Sequence, residues 1–407
     1  METIAFEDIV AARRRIAEGV LVTPCPYSAA LSERYDCEIY CKFEFLQRTG
    51  SFKERGARNA LLQLPEEQRK HGVIAASAGN HALALAYHGR ALGIPVTVVM
   101  PSYAPLVKQT NCRRLDADVV LAGATFAEAK SSADELARQR HLTYIHGYDD
   151  PAIIAGQGTL GLEILDQVPD ADAVVVPIGG GGLIAGVALA VKHQSPRTQV
   201  IGVEPANSTC YSSALQAGHP VRVRSEPTLA DGLAVGVVGE NAFALARQHV
   251  DRVVTVNEAE LALAIVRLME MEKSVVEGAG AAPLAGLLSG QLLDLANQRV
   301  VLLLCGGNID LTILSRLIDT ALVVDRRLVR FTASISDRPG GLARLTSVIA
   351  EAGASVKEIT HDRTFSGPNV AAVNVLCTVE TRDREHITVL YQKLTEAGIR
   401  HFAHAGH

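Results

Sequence analysis

Residues 173–182 read AVVVPIGGGG, a nearly unbroken apolar run that ends in four consecutive glycines. An apolar run without polar alternation is typical of a parallel strand that is buried on both faces. Similar runs recur along the chain, separated by segments with helical spacing of apolar residues; they are 73–76, 96–100, 119–121, 200–203 and 300–304. This order predicts an α/β fold with an open twisted parallel sheet that binds its ligand beyond the carboxyl ends of the strands.

The four glycines join the strand to a helix that begins near Leu183. Backbone N–H groups at a helix N-terminus attract anions, and glycines allow close approach, so we expect a phosphate here. These residues alone leave a second interpretation open. Gly180, Gly182 and Ala185 fit the pattern G-x-G-x-x-A, and Glu204 ends the next strand at about the distance of a ribose-binding acid. That alternative would be a nicotinamide-dependent oxidoreductase.

Three further segments carry side chains suited to chemistry. Lys53 lies within Ser51-Phe52-Lys53-Glu54-Arg55-Gly56, a loop that can position an amine for Schiff-base formation. Ser77-Ala78-Gly79-Asn80-His81 follows a buried run and opens a helix, so it either binds a carboxylate or simply caps the helix. Cys305 precedes Gly306-Gly307-Asn308, where glycines would admit a flat ring; a buried structural cysteine is the commoner situation.

Composition excludes several classes of protein. The chain has 407 residues, is 48% hydrophobic and carries a net charge of −5, without a dense Lys/Arg run, so nothing indicates nucleic-acid binding. The seven cysteines form no CxxC pair, which argues against a zinc site. Dispersed thiols, together with the lack of a recognisable signal peptide or membrane span, predict a cytoplasmic protein.

The sequence pattern changes after about residue 320. Apolar and polar residues alternate from Val329 to Ser336, a helical spacing follows, and a second alternating segment ends near Val379 before another helical spacing. We therefore expect a first domain at 1–320, with a smaller lobe at roughly 50–145 inserted in it. A linker at 321–328 and a small α+β domain at 329–407 would follow.

The four segments together resemble the fold-type II pyridoxal-phosphate enzymes, and within them the threonine/serine dehydratases, which are ammonia-lyases. Further motifs that match are Thr228-Leu229-Ala230-Asp231-Gly232, Glu277-Gly278-Ala279-Gly280-Ala281 and Asn308-Ile309-Asp310. The resemblance covers roughly residues 5–320 and implies two lobes built on parallel sheets. The C-terminal part resembles an ACT regulatory domain around Asp337-Arg338-Pro339-Gly340-Gly341-Leu342.

The resemblance implies a role for each motif. Lys53 would hold pyridoxal 5'-phosphate and remove the α-proton of the substrate. The other residues implied to bind the cofactor are Phe52, Asn80, Gly179, Gly180, Gly181, Gly182, Leu183 and Cys305. The residues implied to hold the substrate carboxylate are Ser77, Ala78, Gly79, Asn80 and His81.

The implied reaction is β-elimination of L-threonine to 2-oxobutanoate and ammonia, with L-serine giving pyruvate. A serine or 3-hydroxyaspartate ammonia-lyase stays an alternative, because Cys305 stands where most members carry Ser or Thr. Ala78 stands where serine racemases carry a serine, which argues against racemisation. The segment after Glu204 lacks the aspartates with which racemases bind a divalent ion, so we expect no metal and a capped, solvated Glu204.

The ACT-like part implies regulation by an amino acid such as isoleucine or valine, in keeping with a role in isoleucine biosynthesis. We also expect a homo-oligomer. The amino-acid substrate and an amino-acid effector are the partners that the resemblance implies.

Overall fold

The computed structural model describes residues 4–362 and 372–404. The chain divides into two compact units, Met1–Ile309 and Asp310–His407. Residues 363–371 and 405–407 of the predicted C-terminal domain lie outside the described residues. Across the described stretches, every helix is too short or too polar to cross a membrane.

Parallel strands form two sheets in the first unit. In chain order they are β1 (Glu38–Phe43), β2 (Val73–Ala76), β3 (Val96–Met100), β4 (Asp118–Leu121), β5 (Thr143–Tyr144), β6 (Ala173–Pro177), β7 (Gln199–Pro205), β8 (Arg252–Val256) and β9 (Arg299–Leu304). The larger sheet has the order β1-β9-β6-β7-β8 and the smaller sheet the order β4-β3-β2-β5. Every apolar run predicted as a strand lies in one of them, and β2, β3 and β6 are buried along their whole length.

The helices of this unit lie between the strands. They are α1 (Phe6–Ile16), α2 (Ala29–Tyr35), α3 (Lys53–Gln63), α4 (Glu66–His71), α5 (Asn80–Leu92), α6 (Leu106–Arg113), α7 (Phe126–Arg140), α8 (Pro151–Gln167), α9 (Gly182–Gln194), α10 (Cys210–Ala217), α11 (Glu240–His249), α12 (Glu258–Met271) and α13 (Gly278–Leu288). Helices α3 and α8 cross closely because glycines face each other. A Cβ on Gly156 would lie only 2.6 Å from the Cα of Gly56. Helix α3, which carries Lys53, is therefore packed closely against α8.

The second unit is an antiparallel sheet packed against helices. Its elements are α14 (Leu311–Val324), β10 (Leu328–Ser336), α15 (Gly341–Glu351), β11 (Ser355–Asp362), β12 (Ala372–Glu380), α16 (Arg384–Glu396) and β13 (Arg400–Ala403), and the strand order is β11-β12-β10-β13. Phe331 and Val375 of the sheet are buried together with Ile349 of α15 and Leu394 of α16. The predicted fold class, α/β with a C-terminal α+β domain, is confirmed, and this unit is compatible with an ACT-like domain.

The structure differs from the predicted linker at 321–328. Helix α14 continues to Val324 and β10 begins at Leu328, so only three residues separate them. The side chain of Asp310 accepts a hydrogen bond from the N–H of Thr312 and caps α14. This N-cap begins α14 just after the first unit ends. Most of the residues expected to be a linker therefore belong to α14 or to β10, which are regular elements of the second unit.

Candidate active site

Lys53 begins α3 beside the end of β9. The N–H of Phe52 donates to the carbonyl of Cys305 at 3.0 Å. Ser51 forms an isolated antiparallel bridge with Gly306. These backbone contacts fasten the loop before Lys53 to the segment after the last strand of the larger sheet. Two of the segments singled out in the sequence therefore meet, although more than two hundred residues separate them.

The environment of Lys53 changes the chemistry of its amine. Its Nζ donates to the carbonyl of Gly147 at 2.7 Å and lies 5.2 Å from the centroid of the Phe52 ring. Burial lowers the pKa of Lys53 to about 8, although the nearby Cys305 and Glu277 act in the opposite direction. Desolvation disfavours the charged ammonium, so the neutral and nucleophilic amine is more accessible than in an ordinary lysine.

Asn80, the first residue of α5, is held by two other side chains. Its Nδ2 donates to Oε1 of Glu277 at 2.7 Å, and its Oδ1 accepts from Nδ2 of Asn308 at 2.8 Å. Glu277 is buried and directly precedes α13. Burial and the charge of Asp231 raise the pKa of Glu277 to about 7, and the hydrogen bond from Asn80 opposes that shift. Asn80 therefore belongs to a polar cluster beside Lys53.

Residues 77–81 comprise the turn after β2 and the first two residues of α5. The N–H of Gly79 donates to Oγ of Ser77 at 3.3 Å, and Ser77 to Asn80 are half-buried. The N–H groups in the first turn of a helix have no partner within the helix, so this turn can offer backbone donors to a carboxylate. A side chain on Gly79 would meet no atom within 4 Å, so the turn borders open space that a ligand can enter.

His81 does not offer a cation to a carboxylate. Burial and the nearby charge of Lys53 lower the pKa of His81 to about 3, so its ring is neutral. Its Nε2 lies 3.1 Å from the carbonyl of Ile145, which requires the proton to be on Nε2 and leaves Nδ1 as an acceptor. Any contribution of His81 to binding a carboxylate therefore comes from its backbone N–H.

The glycines at 179–182 leave no space for side chains. A Cβ on Gly180 would lie 2.3 Å from the Tyr148 ring, and one on Gly182 would lie 2.2 Å from the Tyr148 carbonyl oxygen. Gly181 has a φ of +92°, a conformation that favours glycine, and it caps α9. Leu183 is the second residue of this helix and is buried. The loop therefore presents backbone N–H groups at a helix N-terminus, as a phosphate requires.

Cys305 keeps a neutral thiol. It is almost fully buried directly after β9. Burial raises the pKa of Cys305 well above its usual value, and the neighbouring Glu277 acts in the same direction. A neutral thiol can donate or accept a weak hydrogen bond but cannot stabilise a protonated pyridine nitrogen as a carboxylate would.

The residues of the site fit pyridoxal phosphate. The chain offers an amine with a lowered pKa at Lys53, and Asn80 supplies an oriented amide close to it. The glycine loop presents backbone N–H groups, with Gly180 and Gly182 packed so closely on Tyr148 that a Cβ would clash, and the thiol of Cys305 is neutral. Lys53 would hold the carbonyl carbon of the cofactor, and the amide of Asn80 would face the ring oxygen. The glycine loop would hold the phosphate, and Cys305 would face the ring nitrogen.

The segment at 146–150 also belongs to the site, and the sequence analysis missed it. Gly147 accepts from Lys53, and Tyr148 packs against Gly180 and Gly182. The carboxylate of Asp149 accepts from the N–H groups of Glu240 and Ala242 at the start of α11, both at 3.0 Å. The signal in the sequence was Asp150-Pro151, an N-cap followed by proline at the first helical position of α8.

Gly182→Ala should disrupt the phosphate cradle. The new Cβ would lie 2.2 Å from a backbone oxygen, which cannot move aside like the end of a flexible side chain. We expect the free energy of unfolding to fall by roughly 1–3 kcal/mol, and binding of pyridoxal phosphate to weaken. Chemical denaturation and spectral titration would measure the two effects.

Gly236→Ala is the matched control, because the nearest atom to its Cβ would be the Val223 carbonyl oxygen at 3.5 Å, an ordinary contact. If both variants bound the cofactor equally well, the glycine loop would not be the phosphate cradle.

Glu204 is a structural residue, and the dinucleotide interpretation is wrong. Its carboxylate accepts from the N–H groups of Tyr211 and Ser212 at 2.7 and 2.9 Å and so caps α10. It is fully buried, not solvated as expected. Burial raises the pKa of Glu204, and these hydrogen bonds partly oppose the shift. A carboxylate engaged in this way is not available to bind a ribose.

Comparison with known proteins agrees with this geometry. Residues 16–306 match a family described as pyridoxal-phosphate dependent enzymes. An L-threonine ammonia-lyase of Thermotoga maritima is 44% identical over 97% of this chain and 98% of its own length. The processed form of threonine deaminase isoform 2 from Solanum lycopersicum superposes with a TM-score of 0.74 at 39% identity, over 77% of this chain and 91% of that one. Serine racemase from maize gives a TM-score of 0.75 at 32% identity, over 77% and 97%.

Proposed function

Because the chain belongs to the family of pyridoxal-phosphate-dependent enzymes, we propose that it is an ammonia-lyase that converts L-threonine to 2-oxobutanoate and ammonia. The protein uses pyridoxal phosphate as its cofactor. The observation that carries the proposal is the position of Lys53, whose amine has a lowered pKa and lies beside Cys305 and the cluster around Asn80. The similarity to an L-threonine ammonia-lyase over nearly the whole chain supports the choice of substrate.

The chain's own residues would perform three tasks. When bound, the cofactor withdraws electrons from the α-carbon of the amino acid. The turn at 77–81 would hold the substrate carboxylate through backbone N–H groups, and Asn80 would orient the ring. The neutral amine of Lys53 would take the α-proton, and the β-hydroxyl would leave the substrate with a proton, as water. The released enamine is then hydrolysed, which consumes one water and releases ammonia. Each threonine therefore yields one 2-oxobutanoate and one ammonia.

Two residues support elimination over racemisation. Ala78 has no hydroxyl with which to protonate an α-carbon from the face opposite Lys53. The neutral Cys305 would leave the pyridine nitrogen of a bound cofactor unprotonated, which would make the ring a weaker electron sink. A reaction in which a leaving hydroxyl takes up the electrons tolerates a weaker sink better than one that needs a long-lived carbanion.

A substrate assay tests the proposal. Purified protein with added pyridoxal phosphate would be incubated with L-threonine, L-serine or 3-hydroxyaspartate, and the ketoacids would be identified by mass spectrometry. We expect 2-oxobutanoate from threonine as the fastest product and pyruvate from serine as a slower one. Faster conversion of serine or 3-hydroxyaspartate would favour the second candidate, a serine or 3-hydroxyaspartate ammonia-lyase, which Cys305 supports. The absence of any ketoacid would reject both.

The lowered pKa of Lys53 predicts how cofactor capture depends on pH. Only the neutral amine attacks a carbonyl, and Lys53 becomes neutral as the pH rises through about 8 instead of 10.5. The rate at which apoprotein and pyridoxal phosphate develop visible absorbance should therefore rise with pH and level off above about 8. Stopped-flow measurements between about pH 6 and pH 10 would show the midpoint. A rate that still increases steeply at the upper end would contradict the shifted pKa.

We also propose that the second unit binds a regulatory amino acid, isoleucine or valine. Its antiparallel sheet with packed helices supports an ACT-like role. The response of the full chain to isoleucine would be compared with that of a chain ending at Ile309, the end of the first unit. We expect isoleucine to inhibit or activate the full chain and to leave the activity of the shortened chain unchanged. An identical response of both chains would exclude regulation through that unit.

We also propose a cellular compartment and an oligomeric state for the enzyme. All seven cysteines are free thiols, which supports a reducing compartment, the cytoplasm. We expect a homo-oligomer, and light scattering coupled to size-exclusion chromatography would give its mass.

A further inference from the structure

The hydrogen bonds around Asn80 determine which end of its amide points in which direction. Nδ2 of Asn308 donates to the backbone carbonyl of Thr49 at 2.7 Å, and a carbonyl can only accept. The Asn308 amide nitrogen therefore faces this corner, and its second proton is directed to Asn80 at 2.8 Å. The group of Asn80 that receives this proton must be its oxygen.

The other end of the Asn80 amide is fixed independently. Oε1 of Glu277 lies 2.7 Å from Nδ2 of Asn80 and accepts one of its protons. Glu277 is itself held in place, because its backbone N–H donates to the carbonyl of Gly306 at 3.1 Å. It is 5% exposed, so little solvent competes for this carboxylate. The second proton on Nδ2 of Asn80 has no partner within the cluster.

We propose that Asn308 and Glu277 are positioning residues that lock the Asn80 amide, so that it presents an N–H, and not its carbonyl, to the ring oxygen of the cofactor. The inference rests on the proposed function, because it needs pyridoxal phosphate beside Lys53. An N–H aimed at the ring oxygen would favour its deprotonated form, because an anionic oxygen accepts a stronger hydrogen bond than a hydroxyl does. Asn308 and Glu277 act only through Asn80.

Asn308→Asp tests the lock most sharply. An aspartate at this position has no proton to donate to Thr49 or to Asn80, so the Asn80 amide would lose its fixed orientation. We expect the dissociation constant of pyridoxal phosphate to rise at least about ten-fold, and the visible band of the bound cofactor to change its dependence on pH. Glu277→Leu should weaken binding in the same way, since it removes the acceptor at the other end of the amide.

Gln291→Glu is the matched control. Nε2 of Gln291 also donates to a backbone carbonyl, that of Thr255 at 2.7 Å, but Gln291 lies outside the cluster around Asn80 and outside the candidate site. This variant should keep the cofactor affinity and the visible band of the wild type. Binding would be measured by spectral titration of apoprotein with pyridoxal phosphate, which does not depend on turnover.

A double-mutant cycle separates a positioning role from a general loss of stability. In an Asn80→Ala background there is no amide to orient, so Asn308→Asp should change the dissociation constant by less than about two-fold. An equal effect in both backgrounds would overturn the proposal, as would a variant that binds like the wild type. A wild-type protein that develops no visible band with pyridoxal phosphate would instead reject the proposed function itself.

Discussion

Replacing Lys53 with alanine is expected to abolish the visible absorbance of the holoenzyme and to lower ketoacid formation by at least about a thousand-fold. The proposed role of this amine is both to hold the cofactor and to take the α-proton, so one substitution should remove two functions. Lys53→Arg should fail equally, because a guanidinium keeps its positive charge and is not a nucleophile. Absorbance spectra and a discontinuous ketoacid assay would measure the two losses.

Lys192→Ala provides the control for this experiment. Nζ of Lys192 also donates to a backbone carbonyl, that of Thr198 at 2.8 Å, and it pairs with the carboxylate of Asp251. Lys192 lies in the last turn of α9, at the opposite end of that helix from the glycine loop. We expect this variant to keep the visible band and the activity. Undiminished ketoacid production by Lys53→Ala would show that another group performs the chemistry.

Replacing Arg55 with alanine should destabilise the first unit more than any surface substitution. Arg55 is buried two residues after Lys53, and its guanidinium contacts Glu44 at 2.8 Å and Glu163 at 2.7 Å. Lys42 also contacts Glu163, at 2.8 Å, so Glu163 would keep a cation. Glu44 would be left as a buried carboxylate without its cation. We expect the free energy of unfolding to fall by about 3–5 kcal/mol.

The same network predicts how stability depends on pH. Burial alone would raise the pKa of Glu163, but Arg55 and Lys42 outweigh that effect and hold the pKa below its usual 4.5. A carboxylate with a depressed pKa in the folded state stabilises the fold fully above the unfolded value, and the contribution is lost as the pH falls below it. The destabilisation caused by Arg55→Ala should therefore shrink below about pH 4.5.

Arg140→Ala is the comparison for the buried ion pairs. Arg140 contacts Asp118 at 2.9 Å with about half of each side chain exposed. Exposed pairs of this kind contribute at most about 1 kcal/mol. Denaturant unfolding of both variants would give the two free energies, and equal losses would mean that the buried network does not anchor α3.

Strands with a continuous apolar run were predictable from the sequence, and β1 and β5, which lack such a run, were not. The apolar runs at β2, β3, β6 and β9 show no alternation, and the structure places each in a sheet. Strand β1 contains Glu38 and Lys42, and β5 has only two residues, so neither has a clear pattern. Such strands form because neighbouring strands offer backbone partners, which a local pattern does not reveal.

The candidate site, too, could be predicted from the sequence only in part. The motifs around Lys53, Asn80 and Cys305 could be located in the sequence, because loops and glycines mark strand ends. The contacts that tune them could not, since Asn80 meets Glu277 across 197 positions of the chain. The carbonyl of Gly147 accepts a hydrogen bond from the Lys53 amine, and because it is a backbone group no residue type in the sequence marks it.

We propose that Lys53 is the residue that holds pyridoxal phosphate. Reduction of the holoenzyme with borohydride, followed by proteolysis and mass spectrometry of the peptides, tests this directly, because reduction makes the bond between amine and cofactor permanent. The peptide that contains Lys53 should carry the reduced pyridoxyl group, and no other lysine peptide should carry it in comparable yield. A label on another lysine, or no label on a protein that shows the visible band, would mean that Lys53 does not hold the cofactor.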